Sequence, residues 1–369
     1  MRIVTGLEFR TVQVFMFINI WISGIRLYRN PIKAFKASKQ MIQKFMDHAE
    51  GQNLHRGFYL KGKYTWDMFN PHWPSKAFNR FYTTQLREHG LLNQDQTNIR
   101  RLLIAITKKC PLQCEHCSEW DTLNEKDQFT LDDFFKKIDG FVDDGVSQLV
   151  FSGGEPLIRF NDLVEMIQRY RNKCNQWVYT SGYQLTPEKA ERLAAAGLNG
   201  VAISLDHHIE EFHNLFRGNQ KSFQWVKDAV KNCKDAGLMV TINSCLTKTY
   251  LNDNNTDHLI NLVKEWNVPI LNILEPRAVG HYANKDVELS IREQQMIESK
   301  VRQYNNKKHL EYPLISYPAM FRKNLPCGGG RSYLFLDYDG TLSPCPFCKT
   351  PIKNHLELTN KCEIEAVLN

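Results

Sequence analysis

Three cysteines fall within eight residues in the run Cys110-Pro-Leu-Gln-Cys114-Glu-His-Cys117. Thiolates are the ligands of zinc and of iron–sulfur clusters, and three at this spacing can reach one metal centre. Three also leave a tetrahedral site one ligand short. On a four-iron cluster the fourth iron would then be open to a small chelating molecule, whereas zinc would usually want a fourth protein ligand. A second set, Cys327, Cys345 and Cys348, lies near the C-terminus, with Cys362 available as a fourth member. Cys174, Cys233 and Cys245 sit in helix or strand patterns and read as buried apolar residues. Ten cysteines in 369 residues are too sparse for a disulfide scaffold. Their clustering favours metal or cluster ligation in a reducing compartment.

Ligands need elements to position them. From residue 101 onward, short apolar runs rich in β-branched residues alternate with helix patterns. The spacing predicts strands at 102–107, 148–151, 177–180, 200–205, 238–245 and 269–274. It predicts helices at 131–142, 160–170, 186–196, 223–236, 257–266 and 290–304. Strands apolar on both faces are those of a parallel α/β sheet or barrel, where chemistry gathers at the C-terminal strand ends. The first cysteine set follows the first strand, and Ser152-Gly153-Gly154-Glu155-Pro156 follows the second. Thr180-Ser181-Gly182 ends the third strand, Ile203-Ser204-Leu205-Asp206 the fourth, and Phe216-Arg217-Gly218 comes soon after. His207, His208 and His213, between these motifs, read as ordinary loop residues.

With these motifs at these strand ends, the sequence resembles the radical SAM superfamily. It shares the CxxxCxΦC signature, with His116 at Φ, and the GGEP segment. The resemblance covers roughly residues 101–280 and implies a partial (βα)6 TIM-like barrel in an α/β fold. It implies a [4Fe-4S] cluster on Cys110, Cys114 and Cys117. It also implies S-adenosylmethionine held by His116, Ser152, Gly153, Gly154, Glu155 and Pro156, with Ser181, Ser204 and Arg217 at ribose or carboxylate positions. Ser181 stands where relatives often carry Asn. The implied chemistry is one-electron cleavage of the sulfur–C5′ bond and hydrogen abstraction by the 5′-deoxyadenosyl radical. A one-electron donor such as flavodoxin or ferredoxin would be needed.

Near the C-terminus, Tyr333–Leu336 alternates like a strand, Asp339-Gly340 is a hairpin turn signal, and Thr341-Leu342 starts a return strand. A hairpin there brings Cys327 near Cys345 and Cys348. Cys327, Gly340 and Cys345 resemble the opening of the SPASM extension, and the cysteines that follow fit its shorter, one-cluster twitch form. That implies a small auxiliary iron–sulfur domain on Cys327, Cys345, Cys348 and Cys362. A zinc knuckle is the competing reading.

The net charge is +7, but residues 1–100 hold 15 Lys/Arg against 6 Asp/Glu. The apolar fraction of 42% and charged fraction of 24% exclude disordered, collagen-like and polytopic membrane proteins. An apolar run at 11–25 spans about 22 Å as a helix, short of the roughly 30 Å hydrocarbon core. No A-x-A-like cleavage site follows it. Asn30-Pro31 opens a basic amphipathic helix, and the pair of segments reads as a membrane-surface attachment. Residues 56–82, dense in aromatics, read as an irregular segment covering something apolar, and no nucleic-acid partner is expected.

The expected organisation is an N-terminal extension (1–100), a core (101–315) and an auxiliary domain (316–369). Length agrees, at about 150 residues per domain. Glu275, Arg277 and His281 fall at the catalytic rim, to bind substrate or shuttle protons, with a cap or salt-bridge role as the alternative. The basic, aromatic first quarter points to a lipid or membrane-held substrate, at the cytoplasmic face of a membrane. A peptide or small-molecule substrate is the second reading, and a non-catalytic zinc-binding module the third.

Overall fold

Apolar residues on both faces of a strand demand cover on both sides, and the helices between strands supply one of the covers. The computed structural model describes residues 1–48, 55–89, 99–251, 255–322, 327–349 and 351. The chain begins with β1 (Arg2–Thr5), α1 (Gly6–Tyr28), α2 (Pro31–His48), β2 (Arg56–Leu60), β3 (Lys63–Thr65) and α3 (Lys76–His89). The core follows as β4 (Arg101–Ala105), α4 (Leu131–Asp144), β5 (Gln148–Ser152), α5 (Phe160–Tyr170), β6 (Asn175–Thr180), α6 (Pro187–Ala196) and β7 (Gly200–Ser204). Then come α7 (Glu210–Arg217), α8 (Ser222–Asp235), β8 (Met239–Cys245), α9 (Lys248–Leu251), α10 (Asn255–Glu265) and β9 (Ile270–Leu274). The chain closes with α11 (Ile291–Tyr304), β10 (Leu314–Ser316), α12 (Pro318–Arg322), β11 (Tyr333–Leu336) and β12 (Leu342–Ser343).

Local chemistry sets several of these bounds. Thr130 and Asp133 form a reciprocal capping box at α4, as Ser290 and Glu293 do at α11. Thr186 caps α6, with Pro187 at its first helical position.

The nine-stranded main sheet runs β10-β9-β8-β7-β6-β5-β4-β11-β12. Strands β4 to β9 are parallel neighbours in chain order, which is the expected set of six strand–helix units. The fold is the partial TIM-like α/β barrel. β10 adds an unexpected parallel edge strand beside β9. The C-terminal hairpin forms as expected, but it is not a detached module. β11 pairs in parallel with β4 from Tyr333↔Arg101 to Leu336↔Ile104, so it extends the barrel sheet.

Alternation along the strands makes two apolar layers. Leu149, Phe151, Val201, Ile203, Ile242 and Leu271 pack with the helices. Val150, Trp177, Ala202, Met239 and Ile270 form a separate cluster on the other face. Phe58 and Met68 from the N-terminal region complete that second cluster.

Residues 56–82 are therefore not an irregular segment. They supply β2, β3 and the start of α3, and they plug one end of the barrel. Arg101 donates to the Phe69 carbonyl at 2.7 Å, and Gln148 to that of Met68 at 2.7 Å. The fully buried Arg56 donates to the Pro313 carbonyl at 2.8 Å. Arg101 and Gln148 begin β4 and β5, and Pro313 precedes β10, so the plugged end is the N-terminal end of the strands.

α1 is longer than the apolar run suggested. At 23 residues it is long and apolar enough to cross a membrane by length and composition. One of its faces, however, is taken up by packing. Phe9, Val12, Ile20, Ser23 and Gly24 are buried, and a Cβ on Gly24 would meet Ala34 and Leu86 within 3.2–3.5 Å.

Candidate active site

At the opposite, C-terminal end of the strands lies a cavity of about 330 Å³. Its first wall is the loop after β4, which carries Cys110, Cys114, His116 and Cys117. Its second is the turn after β5, with Ser152, Gly153, Gly154 and Glu155. Ser181, Ser204 and Arg217 line it from the next strand ends, and Glu275 and Arg277 from the end of β9. Thirteen of the residues expected at the core site thus surround one volume.

The first two walls are stitched together by backbone. Gly154 N–H donates to the Thr107 carbonyl at 2.7 Å, and Glu155 N–H to that of Lys109 at 2.8 Å. A Cβ on Gly154 would stand 2.8 Å from the Lys108 carbonyl, so only glycine allows this approach. The cysteine loop is also held from α7. Gln113 N–H donates to the Arg217 carbonyl at 3.1 Å and Glu115 N–H to that of Phe216 at 2.9 Å. Gly218 takes the left-handed conformation that ends α7 (φ 66°), 2.9 Å from the Gln113 carbonyl oxygen at its would-be Cβ. The Phe-Arg-Gly segment is thus a clamp on the loop as well as a side-chain donor.

Side chains in the cavity are mostly engaged with each other. Glu155 is buried, and burial raises its pKa. It accepts from Thr180 Oγ1 (2.6 Å), Ser181 N–H (2.8 Å) and Ser181 Oγ (2.6 Å). Ser181 therefore braces Glu155. Arg217 is buried and forks onto Asp206, with Nε at 2.6 Å, while another of its nitrogens lies 3.5 Å from Cys114 Sγ. Burial favours a neutral Asp206, yet the Arg217 guanidinium keeps its pKa below the ordinary value. Asp206 also accepts from Cys245 N–H at 3.0 Å. His116 stacks on Phe216 with centroids 4.9 Å apart, and burial lowers its pKa to about 4, so its ring is neutral near pH 7. Burial raises the pKa of all three loop thiols, that of Cys117 to about 11. A bound metal centre would have to take their protons.

Glu275 accepts from Tyr317 Oη and, at 3.3 Å, from Arg277. Tyr317 also lines the cavity, and no motif in the sequence marks it. Two other expectations change. His281 is not among the cavity walls. It stacks on Trp120 at 3.9 Å, and its backbone N–H donates to the Cys117 carbonyl at 3.0 Å, so it braces the cysteine loop from outside. Pro156 is buried in the short turn after Glu155 and is also absent from the walls. His213 is no loop residue. It lies on α7, buried, and its Nδ1 accepts from Asp206 N–H at 3.2 Å. Cys174 and Cys233 are buried core residues as expected, whereas buried Cys245 also lines the cavity.

The C-terminal cysteines gather as expected. Cys348 N–H donates to Cys345 Sγ at 3.1 Å, and Cys327 is near enough to act on the Cys345 thiol electrostatically. A Cβ on Gly329 would sit 3.3 Å from Cys345 Cβ. Cys362 lies outside the described residues. Pro346 and Phe347, between two of these cysteines, form part of the cavity wall.

A charged network joins the two cysteine segments. Lys108 is fully buried and pairs with Glu119 and, at 2.7 Å, with Asp337. Lys349 reaches the same Glu119 oxygen at 3.1 Å. No spacing rule could have exposed this network, because Lys108 and Asp337 are 229 residues apart. The Asp206–Arg217 pair had a signal: a carboxylate closing an apolar strand, with an Arg eleven residues later.

The donor set fits a cluster and a chelating ligand: three thiols, a glycine approach and a shared cavity. Among the described residues, no three Cys, His, Asp or Glu side chains already close on a single ion.

Residues 104–264 match the family model described as the Radical SAM superfamily. An AdoMet-dependent heme synthase from Nitratidesulfovibrio vulgaris is 32% identical over 148 residues, which is 40% of this chain and 40% of that relative. The fold is similar to Streptococcus suis SuiB bound to precursor peptide SuiA, with a TM-score of 0.58 at 14% identity, covering 92% of this chain and 70% of that one. It is also similar to anSMEcpe with bound AdoMet and a Cp18Cys peptide, with a TM-score of 0.54 at 18% identity, covering 72% and 81%. Both signature segments lie inside the matched region and face one cavity, so it is residues 104–264 of this chain that are similar to the radical SAM superfamily.

Proposed function

We propose that the protein is a radical SAM enzyme that cleaves S-adenosylmethionine reductively and removes a hydrogen atom from a substrate with polar or charged groups. The observation that carries this reading is the single cavity shared by Cys110, Cys114 and Cys117, the Ser152–Glu155 turn and the Glu275–Arg277 pair. The three cysteines would hold a [4Fe-4S] cluster, and Ser152, Gly153, Gly154 and Ser204 would meet S-adenosylmethionine. When bound, the cluster supplies the electron that breaks the sulfur–C5′ bond. The chain's own part is to orient and to exclude water. Glu155, spanned by Thr180 and Ser181, fixes the turn on which the methionine end rests. Arg217, held by Asp206, keeps a cation against Cys114.

Tyr317, Glu275 and Arg277 form the far wall, where a carboxylate, amide or ammonium group of a substrate would find partners. That polarity favours a peptide or polar small molecule. SuiB and anSMEcpe, similar in fold, are both seen with peptides, which supports the same reading. A membrane-held precursor is the second reading, favoured by the exposed apolar side of α1. Cys327, Cys345 and Cys348 would hold an auxiliary cluster beside the Pro346-Phe347 wall. A flavodoxin or ferredoxin would deliver the electron in the cytoplasm.

Anaerobic iron and sulfide reconstitution tests the ligand assignment. The expected result is a brown protein with roughly eight irons per chain, dropping by about half when Cys327 and Cys345 are replaced by Ala. A colourless protein that takes up zinc and no iron would instead support the zinc-binding module.

A further inference from the structure

The buried side of α1 leaves its other side uncovered. Leu7, Val14, Phe15, Ile18 and Ile22 are exposed along one stripe, and Ile32 and Phe35 on α2 extend it. The two helices present one surface, because the Phe35 ring packs edge-on against Phe17 at 5.6 Å and Trp21 at 5.8 Å. Leu7 is 82% exposed and Ile32 69%, values that soluble surfaces rarely gather in one patch.

Charge decides what covers it. Between Glu8 and Asp47 the chain carries seven Lys or Arg and no Asp or Glu. Arg10, Arg26, Lys33 and Lys36 are exposed around the apolar stripe. A second copy placed face to face would bring like charges together. An anionic bilayer complements both the apolar stripe and its basic surround. Crossing the bilayer is disfavoured, because the packed side of α1 would have to leave Gly57, Ala34 and Leu86.

We propose that α1 and α2 seat the protein on an anionic membrane surface. The seat belongs to the unit that plugs the N-terminal end of the barrel, whereas the cavity opens at the C-terminal strand ends. The enzyme therefore docks with its active site turned from the lipid, and takes its substrate from the aqueous side or from a segment projecting above the bilayer. That geometry suits a peptide or polar small molecule, and of a membrane-held precursor only the part that projects above the bilayer.

Flotation of the full chain tests it, using phosphatidylcholine vesicles with and without about 30% phosphatidylglycerol. Native protein should float with the anionic vesicles, less so at high salt. Phe15→Asp with Ile18→Asp, and separately Lys33→Glu with Lys36→Glu, should each cut the bound fraction roughly tenfold. Both variants should keep the native circular dichroism and S-adenosylmethionine cleavage. Should the acidic variants misfold, Phe15→p-benzoylphenylalanine should crosslink to lipid on irradiation. Native protein that stays out of the vesicle fraction would overturn the proposal. So would binding unchanged in both variants, or crosslinks only to a second chain or to residues 352–369.

Discussion

Single residues in this site are constrained by neighbours they touch more than by any ligand. Gly154 is the clearest case, because its would-be Cβ meets backbone that cannot swing aside. Gly154→Ala should fold, yet weaken S-adenosylmethionine binding by roughly tenfold or more, as equilibrium dialysis of the reconstituted protein would show. His72 makes a different prediction, about pH. It is buried against Trp177 at 6.0 Å, its Nε2 has no partner, and burial lowers its pKa from 6.5 to about 3. Below pH 6.5 the unfolded chain takes a proton that the folded chain refuses, so stability falls as pH drops toward 3 and is level above 6.5. One such histidine gives a slope of about 1.4 kcal/mol per pH unit. His72→Phe should remove that slope in urea titrations between pH 4.5 and pH 6 or so, while leaving neutral-pH stability within about 1 kcal/mol.

At the scale of elements, the loops are positioned by pairings across the fold. The loop after β4 is held by the β5 turn, by the C-terminus of α7 and by His281, and the Lys108 network ties it to the hairpin of β11 and β12. Lys108→Ala should cost about 3–5 kcal/mol, because it leaves the buried Glu119 and the half-buried Asp337 without the cation between them. Chemical denaturation would measure this, and limited proteolysis should show earlier cleavage after residue 337. How much of this was legible follows from range. The six core strands and their helices could be read from periodicity, with bounds shifted by at most two residues, because each is set by local burial. The β1–β2 pairing could not, since Arg2 meets Tyr59 across two intervening helices. Three-residue β10 and eight-residue α7 were too short for a periodic signal. The cysteine loop and GGEP turn were legible because their chemistry is local. Tyr317 was not, because it reaches the cavity only through the edge strand before it.

The whole molecule has two poles. One end of the barrel is plugged by the N-terminal strands and carries the basic, apolar face of α1 and α2. The other gathers thiols, a glycine turn and a charged pair around one cavity. The uneven charge along the chain is thus spatial as well as sequential. At the second pole, the proposed function has the cavity generate a radical from S-adenosylmethionine on a cluster held by Cys110, Cys114 and Cys117. The most direct measurement is 5′-deoxyadenosine formed by anaerobically reconstituted, dithionite-reduced protein given S-adenosylmethionine. The native chain should release it even without substrate, and Cys114→Ala should not. Iron-loaded, reduced native protein that forms none, or equal product from Cys114→Ala, would contradict the account.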